Sequence, residues 1–199
     1  MSFRKILKYP NSGLRKRSVD VKTGEDMTGV VGDLWDTLNV AGGAGLAAPQ
    51  IGIHKRVIYV SCPDFRGEMI NPIMHEPEDL CAVHEGCLSF PGISEMIQRH
   101  QKVSVTFSRL DGSTETVGLN GLSAQVVQHE IEHLDGKLMI DHFRRLKKDR
   151  IAKRVRKVIT EAKSLSTLPE ETEPTRVSKT AHLSKKELKR RRKRKKMNR

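Results

Sequence analysis

Residues 121–134 of this chain carry a pattern that leaves little choice of structure or setting. Leu122, Val126, His129 and His133 recur at the spacing of one helical stripe. Ser123, Ala124, Val127, Ile131 and Leu134 make a second small or apolar side, so only Gln125, Gln128 and Glu132 define a polar strip. A helix apolar over so much of its circumference belongs inside a domain. Gly136 is placed to end it. Within it stands His129-Glu130-Ile131-Glu132-His133, an H-E-x-x-H sequence. Two histidines four apart lie one above the other on a helix and can bind one metal ion. Glu130 projects about 100° away from His129, beside the metal, as a proton carrier for a bound water.

Two ligands do not complete a site. The metzincin continuation H-x-x-G-x-x-H finds Gly136 but then Met139 in place of a histidine. A downstream glutamate of the thermolysin kind has Glu161 as its one candidate, with nothing around it to support the role. The remaining candidate lies upstream, Cys87 in Glu85-Gly86-Cys87-Leu88-Ser89. A thiolate is a good ligand for zinc or ferrous iron. A third block, Gly43-Ala44-Gly45-Leu46-Ala47-Ala48-Pro49-Gln50, has small residues that let a backbone come close to a ligand, and it ends on an amide donor.

These three blocks, in this order, resemble peptide deformylase, a family marked by G-x-G-hydrophobic-A-A-x-Q, E-G-C-hydrophobic-S and Q-H-E-x-x-H. The resemblance runs from Ile6–Pro10 through Ile70-Asn71-Pro72 to about residue 160. One departure is Glu132, where the family usually has Asp; its place on the polar strip predicts little effect on the metal. The resemblance implies an α+β fold, with antiparallel β-sheets around a central metal-binding helix, an N-terminal helix and a C-terminal helix, to which the composition of the last residues adds a disordered basic tail. It also implies a metal-dependent hydrolase that removes the N-formyl group from the formylmethionine of nascent peptides. Cys87, His129 and His133 would hold one divalent ion, ferrous iron first, with zinc, nickel or cobalt as alternatives. Glu130 would move the proton, while the Gln50 side chain and the Leu88 backbone N–H stabilise the oxyanion. The peptide would pair with backbone around Ala44, Gly45 and Gly86, and its methionine would enter a pocket including Leu122, Val126 and the face of His129.

Other elements follow from local patterns. Met27, Val30, Val31, Leu34 and Leu38 recur at helical spacing, with Gly42-Gly43 as a stop. Residues 57–60 read as a short buried strand. Val103, Val105 and Phe107 alternate with polar residues, and Asp111-Gly112 then turns the chain toward Thr114–Leu119 as a hairpin. From about Arg144 a basic helix carries the stripe Ile151, Val155, Val158 and Ala162. A polar linker around Ser164–Pro174 follows, so a catalytic domain is expected over 1–163 and a linker with tail over 164–199.

Charge separates these parts. Residues 1–142 hold 14 Lys/Arg against 18 Asp/Glu, net −4; residues 143–199 hold 23 against 6, net +17. The last 16 residues contain 11 Lys/Arg and one acid, Glu187, a like-charged block expected to be mobile without a partner. Ribosome or rRNA association through this end is the partner reading. Three cysteines, Cys62, Cys81 and Cys87, without C-x-x-C argue against a disulfide framework. No apolar run reaches the ~18 residues of a membrane span, and the basic N-terminus lacks a signal-peptide apolar region. The cytoplasm is the compartment these features suggest. Two other functions stand beside deformylation: a zinc protease with the same water chemistry, and a nucleic-acid- or ribosome-binding protein with a deformylase-like domain.

Overall fold

The structure of the protein, a computed structural model, describes residues 3–166. Its elements are α1 (Thr28–Ala41), β1 (Gly45–Ala47), β2 (Val57–Ser61), β3 (Arg66–Gly86), β4 (Ser94–Ser108), β5 (Thr114–Asn120), α2 (Gly121–Leu134) and α3 (Arg145–Ser166), with short 3-10 turns before α1, after β1 and after α2. The five strands form one antiparallel sheet in the order β1-β2-β3-β4-β5. Helix α2 packs against β1, β2, β4 and β5, so the sheet wraps the helix that carries H-E-x-x-H. The fold is α+β, as the resemblance implies, with one sheet rather than several.

Each anticipated element appears. Helix α1 starts where the Asp26 carboxylate accepts the Thr28 N–H at 2.8 Å, and it stops at Gly42 in the left-handed conformation. Its Val31, Leu34 and Leu38 are buried against Leu46, Ile51, Val57 and Ile70. The hairpin β4–β5 turns at Gly112, φ +83°. Val103, Val105, Phe107 and Leu119 enter a core completed by Ala124, Val127 and Leu134 of α2. Each fully buried large apolar side chain of this kind contributes about 1.5–3 kcal/mol.

Strand β3 is the element that local patterns do not reveal. It runs for 21 residues, and Met74–Leu80 are exposed. Pro72 and Pro77 sit in its two register shifts, between Ile70 and Ile73 and between His75 and Glu78. A bulge is where a strand can accept a residue without an N–H. Asn71, Glu76 and Asp79 take positive φ beside these breaks. Beyond them the ladder with β4 resumes and continues to Gly86, delivering Glu85 and then Cys87 to the end of the sheet.

Three expectations need correction. Gln128, read as part of a polar strip, is buried, 5% exposed. Its side chain exchanges both hydrogen bonds with the backbone of His100, at 3.0 and 2.8 Å, and so clamps α2 to β4. Ala162 is exposed, and the buried face of α3 is Ile151, Ala152 and Val155, with Ile159 partly buried on the same core. The helix also continues through Ser164 to Ser166, where a linker was expected to begin. One compact unit closes at Ser164. The rest of the linker and the basic block Ser184–Arg199 lie outside the described residues. Among those described, no helix is long and apolar enough to cross a membrane.

Candidate active site

Helix α2 fixes two imidazoles by its own geometry. His129 and His133 are both buried, with ring centroids 4.7 Å apart and their Nε2 atoms 3.2 Å apart. The Nδ1 of His129 donates to Glu85 at 2.6 Å, which turns its Nε2 toward His133. The Nδ1 of His133 is buried with no hydrogen-bond partner among the described residues.

The third arm comes from the end of β3. Cys87 opens a tight turn in which its carbonyl accepts the Phe90 N–H at 2.8 Å. Its Sγ lies 3.3 Å from His133 Nε2. Tetrahedral coordination with bonds of about 2.0–2.3 Å implies ligand-to-ligand edges of roughly 3.3–3.6 Å, so both separations suit three ligands of one ion. Sγ and the two histidines are the one such cluster among the described residues.

Charge also fits a cation. Burial opposes a charge on His129, yet the neighbouring Cys87, Glu85 and Glu130 outweigh it and raise its pKa. Burial first, and then the His129 charge, lower that of His133 and keep it neutral. Burial pushes Glu130 up to about 7, while His129 pulls the other way. Its Oε2 is buried and has no hydrogen-bond partner among the described residues. A pocket this rich in anionic and lone-pair groups accommodates a divalent ion, which would pull Glu130 back down.

Arg99 holds the surroundings rigid. It is 3% exposed, forms a bidentate pair with Glu85 at 2.7 and 3.0 Å, and reaches Glu132 at 2.9 Å. Burial opposes the Glu85 charge, but His129 and Arg99 more than compensate and bring its carboxyl down to about 2. Glu132 also pairs with Lys137 and His142. Glu132 is therefore linked to His129 through Arg99 and Glu85, inside an ion-pair network.

The glycine-rich block forms β1 and the 3-10 turn after it. A Cβ on Gly45 would come within 2.6 Å of Val126 Cγ1 and 2.7 Å of Glu130 Oε1, so only glycine lets this strand cross α2 so closely. At Gly43 the same position is filled by Leu88 Cδ1, 2.9 Å away. Gln50 is buried, and its Oε1 accepts the Ala47 N–H at 2.8 Å. That fixes the amide's orientation and leaves Nε2 facing Ser89 Oγ at 3.2 Å and Cys87 Sγ at 3.7 Å.

These parts meet in one cleft of about 640 Å³. It is lined by Ala44, Gly45, Gln50, Gly86, Cys87, Leu88, Leu122, Val126, His129 and Glu130, with His133 behind them. Every residue singled out from the sequence is thus brought together. Sequence reading missed Lys8, His84 and Phe90 on the wall, and the buried Arg99. For Arg99 a signal existed: a charge at an inward position of a strand, two residues after buried Ile97.

Known proteins resemble this chain in sequence and in fold. The sequence profile of the polypeptide deformylases matches residues 3–149. The chain is 36% identical over 162 residues to the peptide deformylase of Azotobacter vinelandii, covering 79% of this chain and 96% of that one. It is 38% identical, with the same coverage, to peptide deformylase 1 of Pseudomonas syringae. The crystal structure of a peptide deformylase from Legionella pneumophila superposes with a TM-score of 0.77 at 32% identity, covering 84% of this chain and all of that one. That from Ehrlichia chaffeensis, in complex with actinonin, gives 0.75 at 30% identity over 79% and 98%. The profile match spans most of the chain, and the Azotobacter vinelandii and Pseudomonas syringae relatives are more than 30% identical over nearly their whole length, so the chain belongs to the polypeptide deformylase family.

Proposed function

We propose that this chain removes the N-formyl group from formylmethionine at the start of nascent peptides, releasing formate and a free α-amine. One observation carries this reading: Cys87, His129 and His133 converge beside the unpartnered Glu130 Oε2 and the oriented Gln50 amide, at one end of an open cleft. A divalent ion held by the three ligands would polarise the carbonyl and acidify a water. Glu130 takes the proton from the attacking water and returns it to the leaving amine. The Gln50 Nε2 and the Leu88 N–H donate to the developing oxyanion. Strand β1 is an edge of the sheet, so a peptide can add beside Ala44 and Gly45 and reach Gly86 across the cleft. Its methionine side chain lies against Leu122, Val126 and His129. Ferrous iron is the native metal in this reading, and the cytoplasm the compartment.

The test is formate release from a formyl-Met peptide by anaerobically purified protein, with metal analysis of the same sample. Release from the formylated peptide alone supports deformylation. Cleavage of unformylated peptides at internal bonds would support the protease reading instead.

A second reading concerns location. Residues 1–142 carry net −4, whereas residues 143–199 carry net +17, and Arg145, Arg150, Lys153 and Arg156 are exposed on α3. Phosphate contacts by such residues release counterions and are strongly salt-dependent. The catalytic domain over 1–163 would then be docked near the nascent chain by the basic end, raising its local substrate concentration. Removing residues 176–199 leaves hydrolysis of a short peptide nearly unchanged and weakens ribosome co-sedimentation at low salt. Equal binding by both proteins across a salt series would shift the role to α3.

A further inference from the structure

The N-terminal segment brings a lysine to the site that the reaction described above does not use. The Leu7 N–H donates to the Gln50 carbonyl at 2.7 Å, and the Tyr9 N–H to the Ser89 carbonyl at 3.0 Å. Tyr9 also stacks on Phe90, centroids 5.1 Å apart. The backbone on both sides of Lys8 is therefore pinned to the two loops that flank Cys87. The half-buried Lys8 lines the cleft, and its ammonium donates to the carbonyl oxygen of Leu88. It forms no ion pair with a carboxylate among the described residues. Burial lowers its pKa, and the nearby Cys87 partly offsets that.

The Leu88 carbonyl belongs to the same peptide group as the Ser89 N–H, and that N–H points at Cys87 Sγ at 3.4 Å. Gln50 Nε2 approaches the same sulfur at 3.7 Å. A cation on a peptide oxygen polarises the whole amide and makes its N–H a stronger donor. Hydrogen bonds to a ligating sulfur withdraw charge from it and tune the metal it binds.

Resting on the reading of Cys87 as the third metal ligand, we propose that Lys8 is a positioning residue that acts through the Leu88–Ser89 peptide on the Cys87 sulfur. It weakens the sulfur as a donor to the metal and holds the turn that presents the Leu88 N–H. A less electron-rich sulfur leaves the metal a stronger Lewis acid and is itself slower to oxidise.

The test uses the full chain loaded with Co²⁺ as wild type, Lys8→Met, Lys8→Gln and Lys8→Arg, with Cys87→Ala as a control. The readout is the sulfur-to-cobalt charge-transfer band in the near ultraviolet. Loss of the cation raises the energy of the sulfur electrons, so the band moves to longer wavelength in Lys8→Met and Lys8→Gln. Lys8→Arg keeps the charge and stays near the wild-type position. Metal content remains one ion per chain in all Lys8 variants, while kcat falls by about 10-fold or less in Lys8→Met and Lys8→Gln, with KM little changed. A band present in wild type and unmoved in both neutral variants would overturn the proposal while leaving Cys87 as ligand. A wild type without the band, matching Cys87→Ala, would remove the ligand reading itself and the proposal with it.

Discussion

The cluster of Cys87, His129 and His133 is assembled from two segments held in different ways. On α2, one helix sets the separation of His129 and His133, and the apolar contacts of Ala124, Val127 and Leu134 seat that helix in the sheet. The Cys87 turn has no such internal rule. Its place depends on a strand with two register shifts, on hydrogen bonds from Tyr9, Gln50 and Lys8, and on Glu85 beside it. The dependence runs both ways, because Glu85 of β3 orients His129 of α2. A helix can specify two ligands locally, whereas the third is specified by contacts between residues tens of positions apart.

Variants can break this comparison, the largest effect first. Cys87→Ala removes the arm that only tertiary contacts hold, and both metal and turnover should be lost; full metal occupancy by elemental analysis would show the third ligand to be wrong. Glu130→Ala acts on the helical arm without touching a ligand. Metal content should stay at one per chain while kcat falls by about 10²–10⁴-fold, and near-normal turnover would remove its proton-carrying role. In Gln50→Leu the metal should stay, and kcat should drop by about 10²–10³-fold through loss of an oxyanion donor.

The smallest expected effect lies at the contact joining the two arms. The Glu85 carboxyl is held at about 2, below its ordinary 4.5. A depressed carboxylate adds stability that is fully present above about 4.5 and is lost as pH falls through about 2. Wild type should lose on the order of 2–3 kcal/mol from this group across that window, and Glu85→Gln should lack that portion of the loss. Chemical denaturation of both proteins over a pH series measures it; parallel curves would mean that Glu85 does not couple strand to helix.

The same contrast explains what the sequence made legible. The limits of α2, the stop of α1 at Gly42 and the β4–β5 turn at Gly112 are local signals, written in periodicity and in glycine placement. Of the cleft-lining residues, Ala44, Gly45, Gln50, Gly86, Cys87, Leu88, His129 and Glu130 were legible because they fall in three short blocks. Strand β3 was not, since Pro72, Pro77 and an exposed acidic stretch hide a strand whose breaks are bulges. Gln128 was misread because a buried amide that completes a partner's backbone hydrogen bonds looks, in sequence, like a solvated one. Arg99 and Lys8 carry no motif; only folding brings them to Glu85 and Leu88.

The most direct measurement of the joined site is X-ray absorption on the protein loaded with one zinc ion per chain. One sulfur at about 2.3 Å and two imidazole nitrogens at about 2.0–2.1 Å, with the sulfur lost in Cys87→Ala, are the result expected when Cys87, His129 and His133 meet on one ion. A first shell of nitrogen and oxygen alone in the wild-type protein would contradict it.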